Sequence, residues 1–219
     1  MVSQKTLHSI PNIESLKLLA QSLAMLDAIM SPERESRYYS FNSQWNVAQM
    51  MASMWNGSGD DYFILFNPVG AILEGFDHES EMSPYALDGI QTWPGVLSDV
   101  PPQFHDFLSE SAFSIEASTF CIWRRFSDSS WQVGTITYPS DDPDADGSGW
   151  LLSILDGDPS SYKEFAEEYY EQTVDLEAVK AIYEHRPLTE AIVRALNPEI
   201  SLKDLKVDVE EIGYPMDAI

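Results

Sequence analysis

Five consecutive polar residues, Asp77-His78-Glu79-Ser80-Glu81, follow an apolar run and form the densest set of groups in the chain able to ligate a metal or move a proton. An imidazole flanked by carboxylates offers two chemistries: nitrogen and oxygen ligands for a divalent cation, or an acid/base pair for hydrolysis. His105-Asp106 adds a second such pair further on. The H-x-x-x-H and H-x-E…C-x-x-C spacings that fix a metal site by motif are both absent. Asp77, His78 and Glu79 are the candidate catalytic set of a metal-assisted hydrolase. Asp77, His78, Glu79 and Glu81 are the candidate binding set, with Arg124 or its neighbour Arg125 as an ion partner. A bland reading stands beside these: acids and serines at a strand end cap loop backbone, and a histidine there is a hydrogen-bonded structural residue.

Asp142, Asp144, Asp146 and Gly147 match the first half of a calcium loop, in which alternate oxygen ligands wrap a hard cation and glycine permits the turn. The twelfth position, where a bidentate glutamate belongs, is Ser153, and the flank Thr135 to Tyr138 is strand-like. A solvated acidic loop is the expectation, with calcium as the alternative. The single cysteine, Cys121, lies in the apolar run Phe120-Cys121-Ile122-Trp123, which excludes an internal disulfide and a cysteine zinc cage and predicts a buried thiol. Serine-hydrolase and phosphate-loop chemistry are excluded as well. Gly57-Ser58-Gly59 lacks the G-x-S-x-G context, and the same G-x-G has neither the lysine nor the following helix of a phosphate cradle.

The elements that must position these groups are read from periodicity. Asp61 to Phe66 and Ala71 to Phe76 are apolar runs joined by Asn67-Pro68-Val69-Gly70, a β-hairpin with both faces apolar and hence central. Ile13, Leu16, Leu19, Leu23, Leu26 and Met30 predict an amphipathic helix that Ser31-Pro32 ends. Trp45, Ala48, Ala52 and Trp55 share one face of a second predicted helix, opened at Ser43 and stopped at Asn56-Gly57. Tyr85 to Val100 is a long loop, Gln103 to Glu110 a helix, and Ser118 to Phe126 with Trp131 to Tyr138 a second hairpin. Pro139 to Gly149 is an acidic loop or boundary, and helices are expected over 159–185, 187–196 and 202–212. The fold class is therefore α+β: a small antiparallel sheet of two hairpins packed with helices, and an acidic helical C-terminal segment. The expected organisation is a single domain over 1–219, with an α+β core over 1–140 and a helical extension over 159–219 packed on it.

Charge is the strongest compositional signal. Thirty-six acids against twelve bases give −24 and a pI near 4.2, and 20 of the acids but 6 of the bases fall in residues 141–219. Such a field repels nucleic acid and anionic lipid and attracts basic proteins. A hydrophobic content of 44%, six tryptophans and a mean hydropathy of −0.22 predict a globular chain without a membrane span. The N-terminal stretch has no apolar core typical of a secretory signal, so a cytoplasmic location is expected.

Gly75-Phe76-Asp77-His78-Glu79-Ser80, Met82-Ser83-Pro84 and Phe120-Cys121-Ile122-Trp123-Arg124 resemble motifs of an uncharacterised family of bacterial proteins. The order of a leading helix, a strand pair and a tryptophan-rich second pair is also similar in architecture to acidic immunity proteins that neutralise secreted bacterial toxins. That resemblance implies a non-enzymatic cytoplasmic inhibitor with a basic partner and no cofactor, and transfers no catalytic residue. The alternative expectation is the metal-assisted hydrolase at Asp77, His78 and Glu79.

Overall fold

A computed structural model describes residues 4–86, 91–110 and 112–217. Among them are eight α-helices and one antiparallel sheet of six strands, an α+β fold. The chain opens with α1 (Gln4–Ser9) and α2 (Ile13–Met30), then runs through β1 (Tyr39–Asn46), β2 (Gln49–Trp55), β3 (Asp61–Asn67) and β4 (Gly70–Phe76). After α3 (His105–Leu108) come β5 (Phe120–Arg125) and the two-residue β6 (Gln132–Val133). The remainder is helical: α4 (Ser148–Leu151), α5 (Pro159–Tyr169), α6 (Leu176–Tyr183), α7 (Glu190–Leu196) and α8 (Lys206–Ile212). The sheet order is β1-β2-β3-β4-β5-β6, so each strand lies beside its neighbours in sequence. None of the described helices is long and apolar enough to cross a membrane.

Contacts divide the chain into two compact units that do not follow its order. One holds Met1–Ile13 with Ser53–Ser153, the other Glu14–Ala52 with Ile154–Ile219. Helices α5 to α8 thus share a unit with α2 and β1. Within that unit α2 is buried on nearly all sides: Leu16, Met25, Leu26, Ala28 and Ile29 expose none of their surface. Its helical partners start at side-chain caps, with Asp158 accepting from Ser160 N, Asp175 from Ala178 N and Thr189 from Ile192 N.

The first unit is built on the central hairpin. Asp61 pairs with Phe76, Phe63 with Glu74 and Asn67 with Gly70, while β4 pairs on its other side with β5 through Glu74 opposite Cys121. Five successive residues, Tyr62 to Phe66, are buried, as a strand covered on both faces requires. Asn67 makes the turn, its side-chain oxygen accepting from Val69 N and Gly70 N.

The predicted helix over Ser43 to Trp55 is instead β1, a tight turn and β2. Tyr39 and Phe41 are buried with Ser40 exposed between them, the period-two signature of a strand. The turn places Ala48 at φ 56° and leaves Val47 90% exposed. Asn56-Gly57 accordingly begins the β2–β3 connection rather than closing a helix. The sheet therefore has six strands where four were expected. The second hairpin is also shorter than predicted, since Gly134 lies so close to Gly95 O that a Cβ there would come within 2.1 Å. Beyond Val133 the chain leaves β5 for the 93–99 loop, where Thr135 N donates to Ser98 Oγ and Trp93 Nε1 donates to Thr137 O.

Candidate functional site

The β3–β4 register sets the site. Because Asp61 lies opposite Phe76, the residues just outside the ladder, Asp60 before β3 and Asp77-His78 after β4, emerge at the same end of the hairpin. Asn56 shapes the approach: its side-chain oxygen accepts from Ser58 N and Asp60 N. Its amide donates to Asp60 Oδ2 at 2.5 Å. Asp60 Oδ1 in turn accepts from His78 N at 2.8 Å and meets His78 Nδ1 at 2.6 Å. Asp60 is buried and the His78 ring is exposed. Burial pushes the Asp60 carboxyl up, but the backbone and ring of His78 and the Asn56 amide outweigh it and hold the group below its ordinary value. The same hydrogen bond to Asp60 raises the His78 imidazole.

Asp77 contributes to the same corner from the other strand. Its Oδ1 accepts from Glu79 N at 2.8 Å, and burial raises its carboxyl. Asp60, Asp77 and His78 each offer one ligand atom such that all three lie within 4.8 Å of one another, and among the described residues this is the group of three that could hold a metal ion. Two of the three expected residues, Asp77 and His78, are thus brought together. Glu79 is exposed and stands outside the group; its place is taken by Asp60. Asp60 is the residue that sequence reasoning missed. The available signal was the Asn56 to Asp60 turn, which the hairpin register sets against His78.

The acidic loop is fastened to this corner by its backbone. Ser80 Oγ donates to Ala145 O at 2.8 Å, and Thr119 Oγ1 donates to Asp146 O at 2.8 Å while accepting from Asp77 N. The carboxylates of the calcium alternative, Asp142, Asp144 and Asp146, are bonded within their own loop, and among the described residues they form no group of ligand atoms within 4.8 Å of one another. Asp142 Oδ1 accepts from Asp144 N, Asp144 from Gly149 N and Trp150 N, and Asp146 Oδ1 from Ser148 N and Oγ. Asp144 and Asp146 thereby accept from backbone N–H groups at the start of α4. Gly147, at φ 74°, lies against Asp77, where a Cβ would come within 2.1 Å of Oδ2. Gly147→Ala is therefore expected to lower stability by about 2 kcal/mol, through the left-handed backbone and the displaced carboxylate together. A urea midpoint unchanged from wild type would contradict this packing.

The arginines lie elsewhere. Arg124 pairs with Ala71 and Arg125 with Gly70, at the opposite end of β4 from Asp77. Arg124 donates to the carbonyls of Asp128 and Ser129, and the Arg125 guanidinium grips the Asp128 carboxylate. Neither partners the Asp77 to Glu81 cluster, because strand register carries them to the far end. Glu81 accepts from Ser140 Oγ at 3.0 Å, and His105 Nε2 meets Val100 O at 3.2 Å, within its own segment. Cys121 is fully buried and burial pushes its thiol far above the usual range, so it is inert as a nucleophile.

Comparison of the chain with protein-family models, with curated proteins and with solved structures gives no match.

Proposed function

We propose that this chain is a non-enzymatic binding protein whose surplus of carboxylates meets a basic protein partner, with inhibition of a basic secreted toxin as its specific role. The observation that carries this reading is the fate of the bases. Eight of the twelve, Lys17, Arg34, Arg37, Arg125, Lys163, Lys180, Arg186 and Arg194, are already in ion pairs with acids of the same chain. Arg124 is turned onto backbone carbonyls. Those pairs take up eight acids and leave twenty-eight against four further bases, and buried Cys121 offers no exposed nucleophile.

A field of this sign steers a cationic partner during approach and is screened by salt over about 10 Å at 0.1 M. Surface plasmon resonance against cationic nuclease-type toxin domains, with neutral proteins of similar size as controls, tests it. Binding to a cationic domain is expected, with an association rate that falls about tenfold between roughly 0.05 M and 0.3 M salt. Absence of binding to every cationic domain, or a rate indifferent to salt, would refute the reading.

A further inference from the structure

We propose that Asp60, Asp77 and His78 form a binding site for one divalent transition-metal ion of the zinc class, in which the ion replaces the proton held between His78 Nδ1 and Asp60 Oδ1. This goes beyond the binding of a basic partner and does not depend on it. The donor set is mixed, with one imidazole nitrogen and two carboxylates drawn from the two strands of one hairpin at its open end, and their ligand atoms already lie within 4.8 Å of one another. Imidazole with carboxylate suits zinc, whereas calcium and magnesium favour all-oxygen shells.

Each donor is placed by backbone rather than by chance rotamers. Asp60 precedes the first ladder residue of β3, and Asp77 and His78 directly follow the last of β4, so the hairpin register fixes their separation. Asp60 Oδ2 is held by the Asn56 amide, which leaves Oδ1 directed at the histidine ring. Asp77 Oδ1 is anchored by Glu79 N. Gly147 lies beside Asp77 Oδ2, where any larger residue would displace the carboxylate. The His78 side chain is 44% exposed, so the ion has a path in and water can complete its shell. On binding, the ring gives up its Nδ1 proton, to solvent from the imidazolium or by transfer to Nε2 in the neutral Nδ1–H tautomer, and the freed Nδ1 lone pair forms the metal bond. Zinc–ligand distances near 2.0–2.2 Å bring donors within the spacing seen here after a small rotation of the exposed ring.

The test is zinc chloride titrated into the full chain by calorimetry in millimolar magnesium, with X-ray absorption on the loaded wild-type protein. The expected result is one zinc per chain and a shell containing one imidazole nitrogen. His78→Gln and Asp77→Asn are each expected to weaken zinc at least about tenfold, while Glu79→Gln and Asp144→Asn leave it unchanged. Circular dichroism of each variant separates loss of the site from loss of the fold, and the absorption spectrum of the wild type decides the matter even where a variant unfolds. Substoichiometric uptake, a shell of oxygen alone, or equal affinity in a folded His78→Gln protein would overturn the assignment.

Discussion

Replacing Asp27 with alanine is expected to lower stability by about 3–5 kcal/mol, among the largest effects of any single change in this chain. Asp27 lies within α2 and exposes none of its surface. Its Oδ2 accepts from Tyr38 N and Tyr39 N, both at 2.8 Å, where the chain turns into β1. Its Oδ1 accepts from the Tyr162 hydroxyl of α5 at 2.7 Å. One carboxylate thus satisfies two backbone donors and one phenol, and truncation removes the acceptor of all three, of which the Tyr39 N–H and the Tyr162 hydroxyl are buried. Leaving a buried donor unpaired costs about 1–3 kcal/mol, and relaxation around the small alanine recovers part of the total. A shift in urea midpoint corresponding to less than about 1 kcal/mol would mean that these donors find other partners.

Glu74 is expected to make the fold less stable as pH rises, and Glu74→Gln to remove that dependence. The residue sits mid-strand in β4 between Phe63 and Cys121, is 2% exposed, and accepts a hydrogen bond from Ser118 Oγ at 2.6 Å. Burial pushes its carboxyl up to about 8, with the charges of Asp61 and Glu116 adding to the rise, against an ordinary value of 4.5. Below pH 4.5 the folded and unfolded chains both carry the proton and the group is neutral in its effect. Between 4.5 and 8 the folded state holds a proton that the unfolded state has released, so stability falls with each unit of pH and then levels off above 8. At about 1.4 kcal/mol per unit the loss amounts to roughly 3–5 kcal/mol. Asp27 adds a loss of the same sign over a lower window, since burial lifts it from 3.8 to about 6. Denaturant midpoints of wild type and Glu74→Gln should converge near pH 4.5 and separate by several kcal/mol at pH 8, with glutamine the more stable. Parallel profiles would show that Glu74 ionises freely in the folded state.

The same residues show how far sequence reasoning reaches. The helix over Ile13–Met30 and the hairpin of β3 and β4 are written in local terms, a 3.6-residue apolar period in one and apolar runs around Asn67 to Gly70 in the other. The segment from Ser43 to Trp55 reads as a helix because Trp45, Ala48, Ala52 and Trp55 fall by coincidence at helical spacing, yet it folds as two strands. The turn that divides it puts alanine, not glycine, at positive φ, so no residue type announces the reversal. Charge needed no fold at all, being a sum over side chains. Asp77 and His78 were visible as a polar cluster after an apolar run, but Asp60, eighteen residues upstream of His78, reads alone as a turn residue.

Composition and short-range periodicity therefore sufficed for the α+β class, the anionic character, the central hairpin and the inert thiol, since each depends on residues within a few positions or on none in particular. Strand count, the pairing of Asp60 with His78, the separation of Arg124 from the acidic corner and the burial of Asp27 and Glu74 were decided by tertiary structure. The physical reason is range. Ladder register and side-chain burial are set by partners many residues away, and a one-residue change of register would send every side chain of a strand to the other face.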